Sequence, residues 1–333
     1  MRKILLTVLL FTSCFISKVS AQQEAQFTQY MLNGLFFNPA YAGADNNTRF
    51  SALQRTQYYG YSATRDVGGE QNTQLITFAM PLPKLKSGIG VHFVNDKIGP
   101  VRSTELQLNL AHHIMLGSGK LSVGLRGGYF SRVLDYSVLI PFENDPNLRN
   151  GTESNSNFDL GFGAWYTAEK YYLGLSMTRL NEASFNLGAS NTFQLRRTTY
   201  LTGGYTIQIN EELKATPSAL ITTDFKDVSK FDIGGLLTFK DQYFGGINFR
   251  SGVASYNTAL SGDVTKYTVS DIGIIAGISF LKNNAMRVAY SFDAVLPNAD
   301  ALAPTSHEIS LSYVLPSVTK TVRPFIRSPR YRR

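Results

Sequence analysis

The sequence predicts an all-β protein: a transmembrane outer-membrane β-barrel of about fourteen antiparallel strands, with a short N-terminal helical or plug segment. Three observations lead to this fold class. Apolar residues alternate with polar or small ones along most of the chain, and every second connection between the alternating segments is tight. The segments are also long, at about 9–13 residues, whereas globular strands average about 5–6 residues and tilted membrane strands need about 9–11.

The alternation is clear in the segment that begins near residue 103. Leu106 and Leu108 alternate there with Glu105 and Gln107. Because successive side chains of a strand point to opposite faces, one face of this segment is apolar and the other is polar. In a membrane barrel the apolar face contacts lipid and the polar face lines the lumen. The same pattern recurs at 121–129, 286–292 and 309–315.

Residues 1–21 are expected to be a secretory signal peptide, cleaved before Gln22. Arg2 and Lys3 precede an apolar run that is shorter than the ~20 residues a spanning helix requires. A membrane anchor and lipidation at Cys14 are the weaker alternatives. Since Cys14 is the single cysteine, its removal with the leader excludes disulfides, thiolate metal sites and a cysteine nucleophile from the mature chain.

Residues 22–46 are predicted to form a periplasmic or plug segment. Phe27, Met31 and Leu35 recur at helical spacing, and Pro39 disfavours continuation of a helix past the preceding residue. We therefore expect a short helix and a fixed turn, lying either in the periplasmic mouth of the barrel or in its lumen.

Residues 47–315 are predicted to form the barrel, with both ends of the strand array on the periplasmic side. Tight connections, such as 117–119 and 241–242, alternate with mostly long ones, of which 133–156 is the most polar. Twelve or sixteen strands remain open. The expected strands are 47–56, 71–82, 87–97, 103–116, 120–132, 157–168, 171–179, 196–209, 213–224, 231–240, 243–250, 269–281, 285–292 and 306–315. Aromatic residues expected in the interface girdles are Tyr129, Tyr171, Tyr172, Tyr205, Tyr243, Phe244, Phe280 and Tyr313.

The positive charge is concentrated at the two ends of the chain. Of the net charge of +8, the leader carries +3 and residues 316–333, a predicted basic periplasmic tail, carry +6, which leaves −1 for the body. A nucleic-acid surface needs clustered Lys and Arg on the folded domain, so the charge distribution argues against nucleic acid as a partner.

No residue pattern indicates catalysis, a cofactor or a metal. Adjacent His112 and His113 would face opposite sides of a strand, and no known nucleophile, nucleotide or zinc motif is present. We therefore expect a protein that is not an enzyme. His307 and Glu308, at the start of the last strand, are expected in a polar cluster near the outer rim.

Four charged residues are expected to face the lumen: Glu105, Arg126, Arg250 and Arg287. They either line a pore or pair across the interior, and pairing is the favoured interpretation because an unpaired charge in a narrow lumen is costly. Glycine-rich strands, including the one around Gly124, are explained by barrel curvature.

Two short sequences resemble a known family. Gln26–Asn33 (Gln-Phe-Thr-Gln-Tyr-Met-Leu-Asn) leads into Asn38-Pro-Ala-Tyr-Ala-Gly43, and Ser306–Tyr313 forms the last strand. This chain resembles the PorP/SprF family of type IX secretion system membrane proteins at both places. The candidate signature or partner-contact residues are Gln29, Tyr30, Asn38, Pro39, Ala40, Tyr41, Gly43, His307 and Glu308.

The resemblance implies an outer-membrane component that assists export or surface anchoring of a large secreted protein, such as a gliding adhesin, by docking. Implied partners are the C-terminal domain of a secreted type IX substrate, periplasmic secretion-ring or peptidoglycan-binding components, and outer-membrane lipid. The alternative is a transport channel for small or apolar solutes, like fatty-acid transporters. A soluble β-sandwich adhesin is disfavoured by the segment length.

Overall fold

The computed structural model describes residues 24–57, 70–138, 151–187, 191–225, 229–257, 264–295 and 305–316. They form a closed barrel of fourteen antiparallel strands, which confirms the predicted fold class and strand number. The strands are β1 (Thr48–Gln57), β2 (Gln71–Leu82), β3 (Ser87–Ile98), β4 (Val101–Leu116), β5 (Gly119–Asp135), β6 (Thr152–Thr167), β7 (Tyr171–Thr178), β8 (Thr198–Tyr205), β9 (Leu213–Thr223), β10 (Ser229–Phe239), β11 (Tyr243–Asn257), β12 (Val264–Phe280), β13 (Met286–Val295) and β14 (Thr305–Leu315). The predicted leader, and the tail beyond Pro316, lie outside the described residues.

The barrel closes where β1 pairs with β14. Thr48 lies opposite Leu315, and the register continues without interruption to Gln57 opposite Ser306. Closure leaves neither the first nor the last strand with a free edge over these described residues. This matters because a lipid-exposed backbone N–H or C=O has no water to bind and costs several kcal/mol.

The remaining elements are short. The predicted N-terminal helix is divided into a 3₁₀ turn at Tyr30–Leu32, the one-turn helix α1 at Gly34–Phe37 and a 3₁₀ turn at Pro39–Tyr41. The division occurs because Asn33 leaves the helical region (φ −120°, ψ 41°) and because Pro39 cannot continue a helix. Within the described ranges, no helix is long and apolar enough to cross a membrane. Other elements are 3₁₀ turns at Pro83–Leu85, Tyr136–Val138 and Lys282–Asn284, a hairpin of Ser184–Leu187 with Asn191–Gln194, and a short strand at Ile207–Gln208.

The two ends of the barrel differ in their connections. At one end, the short-turn end, tight turns join successive strands: Gly117 adopts φ +59° between β4 and β5, and Lys240 and Asp241 adopt φ +54° and +55° between β10 and β11. The chain also enters β1 and leaves β14 at this end. The other end, the long-loop end, carries most of the long connections. In outer-membrane barrels the short turns face the periplasm.

Exposure alternates along the strands as a lipid-facing barrel requires. In β4, Leu106 and Leu108 are 53% and 44% exposed, whereas Gln107 and Asn109 between them are fully buried. The apolar face therefore points outward and the polar face points into the lumen, which confirms the interpretation of the sequence alternation.

Several strands are longer than predicted, and the three largest extensions lie at the long-loop end. β6 begins at Thr152 rather than 157, β11 continues to Asn257 rather than 250, and β12 begins at Val264 rather than 269. These extensions lack the apolar alternation because they lie beyond the lipid-facing band, yet their backbone groups still pair between strands. The alternation of apolar and polar side chains therefore predicts the lipid-facing part of each strand and not its full hydrogen-bonded length.

The predicted aromatic girdle is correct only in part. Tyr129, Tyr171 and Tyr243 are half exposed on the outer surface, but Tyr172 and Phe244 belong to the interior. Tyr172 stacks on Trp165 at a ring distance of 5.0 Å. The prediction failed at Tyr172 because two aromatic residues in succession, Tyr171 and Tyr172, must face opposite sides of a strand.

The lipid-facing surface predicts a depth-dependent response to charge. Leu108→Arg, near the middle of β4, is expected to destabilise the barrel by about 2–4 kcal/mol, whereas Leu116→Arg at its short-turn end is expected to cost about 0–1 kcal/mol, because the cost of Arg falls toward the interface. Denaturant unfolding from lipid vesicles measures both values. Equal losses for the two variants would contradict the assignment of the lipid-facing band.

Candidate functional site

Residues 24–47 are called the plug below; they run through the lumen, where they are largely buried as far as Ala44, and then lead out to β1. At the long-loop end, Glu24 contacts Arg179, which directly follows β7 (Nε–Oε1, 2.9 Å). At the short-turn end, Asn46 accepts a hydrogen bond from Lys120 at the start of β5 (Nζ–Oδ1, 2.7 Å). The plug therefore traverses the lumen before the chain enters β1.

Aromatic rings of the plug fill the middle of the lumen. Phe27, Phe36 and Phe37 are buried and contact one another edge to face, with ring centroids 5.0 to 6.5 Å apart. Phe37 also contacts Tyr200 of β8 at 5.4 Å. Burying a large apolar side chain stabilises by about 1.5–3 kcal/mol, so these rings supply much of the affinity of the plug for the wall. The wall side chains in this cluster are Leu53, Leu75, Val94, Tyr200 and Leu220.

Glu308 of β14 binds two consecutive backbone N–H groups of the plug. Its Oε2 accepts from Thr28 N and its Oε1 from Gln29 N, both at 2.9 Å. Across the barrel seam, Arg55 of β1 donates to Glu308 (2.8 Å) and to Asp293 of β13 (2.9 Å). A buried carboxylate that lost this arginine would remain as an uncompensated charge, which costs roughly 3–5 kcal/mol.

Two further wall arginines bind plug carbonyl groups. Arg126 of β5 donates through Nη2 to the carbonyls of Leu35 and Phe36, both at 2.7 Å. Arg250 of β11 donates through Nη2 to the carbonyl of Phe27 at 2.9 Å. These carbonyls lie in short, irregular turns where many backbone acceptors lack helical partners, so the arginines satisfy groups that would otherwise be buried unpaired.

The predicted pairing of the lumen charges holds for some of them. Arg250 pairs with Asp232 at 2.7 Å and Glu105 with Arg179. Arg126 has no carboxylate within ion-pair distance among the described residues, and its Nε instead donates to the amide oxygen of Asn109 at 2.8 Å. The pairing rule fails at Arg126 because the plug backbone provides its acceptors.

The Asn38–Tyr41 turn fits against the wall through its backbone. The Asn38 side chain accepts from Ala40 N at 2.9 Å and donates to the carbonyl of Ala164 in β6, also at 2.9 Å. Pro39 and Ala40 are buried, and Tyr41 contacts Trp165 edge to face at 5.1 Å. The hydrogen bond to β6 therefore holds this turn in place.

Wall glycines make this close approach possible. A Cβ on Gly124 of β5 would lie 2.4 Å from Ala40 N, one on Gly163 of β6 would lie 2.2 Å from the Asn38 amide oxygen, and one on Gly88 of β3 would lie 2.1 Å from Ala42 O. No side chain fits at these distances. Gly124 is therefore required by the plug and not by curvature, which corrects the sequence interpretation.

Arg179 holds the long-loop end of the plug. Its guanidinium contacts Glu24, Glu105 and Asp159, all of them largely buried. Burial lowers the pKa of Arg179, but the carboxylates of Glu105, Glu24 and Asp159 outweigh this and raise it well above its usual value. Burial raises the pKa of Glu24 above its usual value, and Arg179 offsets this only in part. This end of the plug is therefore held by charge.

The structure brings most predicted site residues together. Gln29 binds Glu308, Tyr30 shares a hydrogen bond with Ser218 of β9 (2.9 Å), and Gly43 adopts φ +67° where the plug passes Pro81. His307 is separate, because it lies on the opposite face of β14 from Glu308. Its Nδ1 hydrogen-bonds the hydroxyl of Tyr290 at 2.7 Å on the outer surface.

Sequence reasoning missed Thr28, Arg55, Asp293 and Arg179 as parts of the site. Arg55 and Asp293 were detectable as charged residues at lumen-facing positions of otherwise alternating strands. Their grouping with Thr28 was not detectable, because it depends on the seam between the first and last strands. Among the described residues, no three His, Cys, Asp or Glu side chains are grouped to hold a metal ion. Most of these charges lie in ion pairs, although Arg55 Nε and Nη2 and Asp293 Oδ1 are buried without a hydrogen-bond partner among the described residues. The ion pairs suit structural binding.

Comparison with known proteins gives one family match. Residues 19–313 match the family model described as type IX secretion system membrane protein PorP/SprF. No curated protein matches the chain.

Solved structures with a similar fold are outer-membrane barrels. The Pseudomonas putida toluene transporter TodX has 10% identity and a TM-score of 0.50, covering 91% of this chain and 96% of that one. A Pseudomonas aeruginosa FadL homologue has 14% identity and a TM-score of 0.47, covering 89% and 96%. Acinetobacter baumannii Omp33 has 9% identity and a TM-score of 0.44, covering 81% and 99%. At identities this low, the likeness shows the fold alone.

The close contact at Gly124 predicts a sharp size limit. Gly124→Ala is expected to displace the Asn38–Tyr41 turn and to destabilise the protein by about 1–3 kcal/mol, as overpacking does. Gly127→Ala in the same strand is the matched control, since its Cβ would meet nothing closer than 3.4 Å. Thermal unfolding and protease sensitivity of the plug measure both variants. Equal behaviour of the two would show that the wall does not constrain the plug.

Substitutions of the neighbouring residues His307 and Glu308 are expected to differ strongly in their effect on stability. Glu308→Gln removes the carboxylate that serves Arg55 and two plug N–H groups, and we expect a loss of roughly 3–5 kcal/mol and faster proteolysis near Thr28. His307→Gln, on the outer face, is expected to change stability by less than about 0.5 kcal/mol. Unfolding in detergent or vesicles provides the comparison, and a stable Glu308→Gln variant with a protected plug would refute the anchoring role.

Proposed function

The chain belongs to the PorP/SprF family of type IX secretion system membrane proteins, and from this membership we propose that it docks a large secreted protein at the outer membrane. Docking assists export of that protein, or its anchoring at the cell surface, without chemical conversion of it. A gliding adhesin is the class of substrate proposed, and its C-terminal domain is the part that docks. The barrel and the family support the outer-membrane location.

The plugged lumen is the observation that carries this proposal. Aromatic rings, buried charges and backbone contacts of residues 24–47 occupy the space between the strands. Barrels that leave a wide aqueous channel have about 16–18 strands and an unfilled lumen. A fourteen-strand barrel with this plug offers no passage for a folded polypeptide, so surfaces at its two ends are the sites available for protein partners.

The long-loop end is the surface proposed for the secreted protein. The hairpin of Ser184–Leu187 and Asn191–Gln194 packs there through Phe185, which is fully buried and contacts Phe130 of β5 at 5.4 Å. Leu195 joins the same cluster. Phe185 thus anchors the first strand of this hairpin above the lumen, and anchored segments cost less ordering entropy on binding than mobile ones.

The short-turn end is the surface proposed for periplasmic partners. The chain leaves β14 at this end, beside the start of β1, and residues 317–333 carry six basic side chains and no acidic one. Secretion-ring or peptidoglycan-binding components are the proposed partners here. Their contact with a basic segment should weaken as salt concentration rises.

Affinity purification from native outer membrane in mild detergent tests the assignment of surfaces. We expect the full chain to retain a large secreted protein and periplasmic components. Replacing residues 184–194 by a short Gly-Ser turn should remove the secreted protein and keep the periplasmic ones, and removing residues 317–333 should do the reverse. Recovery of the barrel alone, with solute-dependent conductance in bilayers, would overturn docking in favour of the solute-channel alternative.

The plug also predicts an electrical response. In planar bilayers we expect the full chain to conduct little, and a variant lacking residues 24–42 to conduct several-fold more, because the lumen wall itself is polar. The variant with the replaced 184–194 hairpin is the control and should stay as closed as the full chain. Equal conductance with and without the plug segment would contradict its role in closing the lumen.

A further inference from the structure

A cavity of about 210 Å³ lies between the plug and the wall at the short-turn end. Five aromatic side chains line it and define what we call the aromatic pocket. Its outermost lining residues include Asp45, which precedes β1, and Thr167, the last residue of β6. Both positions are at the short-turn end, so the pocket opens toward the periplasm. The aromatic residues are Tyr30, Phe37 and Tyr41 of the plug and Trp165 and Tyr172 of the wall.

The size and chemistry of the aromatic pocket suit one aromatic ring. An engineered apolar cavity of about 150 Å³ is large enough to bind benzene. The pocket is preformed, because Tyr172 stacks on Trp165 with an interplanar angle of 10° and Tyr41 contacts the same indole edge to face. Asp45 at its mouth is already paired with Arg49 at 3.0 Å. The interior therefore offers aromatic faces and edges to a further ring, and the carboxylate at the mouth is already neutralised.

The chain itself carries such a group near this opening. Thr48 lies opposite Leu315, and Asp45 is three residues before Thr48, so Pro316 is within roughly 20 Å of the mouth. Phe325 is nine residues beyond Pro316, and an extended segment of that length spans roughly 30 Å. The phenyl ring of Phe325 can therefore reach the aromatic pocket.

In the sequence around Phe325, two adjacent apolar residues lie between basic ones. Phe325 and Ile326 are adjacent, with Arg323 and Arg327 on either side. An apolar pair in a basic segment gains from burial, while the flanking guanidinium groups can stay in water at the mouth.

We propose that the aromatic pocket binds Phe325 of the chain's own tail, with Ile326 against the mouth. Because a short tether gives an effective concentration in the millimolar range, a weak site is filled intramolecularly. The tail would then cross the short-turn end and present its arginines there. This inference goes beyond the proposed docking function and does not require it.

Trp165 provides a direct test, since it is the one tryptophan of the chain. We expect acrylamide to quench its fluorescence several-fold more strongly in a variant lacking residues 317–333 than in the full chain. Phe325→Ala with Ile326→Ala should reproduce the increase in a chain that keeps its tail, which guards against misfolding of the truncated variant. Tyr331→Ala, which removes the other aromatic ring of the tail, should leave the quenching unchanged.

Two fluorescence outcomes would overturn the proposal. Equal quenching in the full chain, the truncated variant and the double alanine variant would show that the tail does not cover the pocket. A change in Tyr331→Ala but not in the double variant would assign the pocket to a different residue.

Disulfide trapping supplies an independent measurement. The predicted mature chain has no cysteine, so a Glu169→Cys and Ile326→Cys pair is expected to cross-link under mild oxidation, because Glu169 lies in the turn beside Thr167. A Lys282→Cys and Ile326→Cys pair is the control, since Lys282 lies in an exposed turn two strands from β14. Equal cross-linking rates for the Lys282→Cys and Glu169→Cys pairs would show that the tail does not bind at the pocket and would overturn the proposal.

Discussion

The mutual neutralisation of plug and lumen wall is the interaction on which the rest of this molecule depends. Alternation places lipid-facing leucines outside and therefore forces charged and amide side chains into a lumen without enough partners of its own. Glu308 receives two plug N–H groups, and Arg126 binds two plug carbonyls. The plug in turn has irregular turns whose backbone groups need such partners. Each half satisfies polar groups that would be costly to bury alone.

The seam of the barrel is tied to this interaction. Arg55 on the first strand contacts Glu308 on the last strand and Asp293 on the one before it, and all three surround Thr28. The side-chain contacts that bridge β1, β13 and β14 at the seam thus also hold the plug. Strand pairing and plug docking are therefore coupled at one point, and a chain whose first and last strands had not met could not form this part of the site.

The sequence was sufficient for the barrel but not for the fit of the plug. A period of two in Leu106 and Leu108, together with tight turns, indicates strands because local geometry alone fixes which face each residue takes. Gly124 and Gly163 show the limit: nothing local distinguishes a glycine that bends a strand from one whose missing Cβ leaves room for the plug, where an added Cβ would lie 2.2–2.4 Å from plug atoms. His307 is a different case: strand parity, which the sequence provides, already separates it from its neighbour Glu308, and the expectation of one polar cluster for both did not apply that parity.

Different interactions hold the two halves of the plug: ion pairs hold the first and close packing holds the second. This difference bears on how the plug would respond to a partner. Residues 24–29 are held by carboxylates and arginines, whose contacts can be exchanged for those of a charged partner. Residues 38–43 are held by close packing against wall glycines and by the hydrogen bond from the Asn38 amide to the carbonyl of Ala164. Under the docking proposed above, a charged partner at the long-loop end would compete with the first set, while the second would keep the plug attached beside β1. On that proposal, a partner acts on the ionic half of the plug first, and the short-turn half is the fixed point.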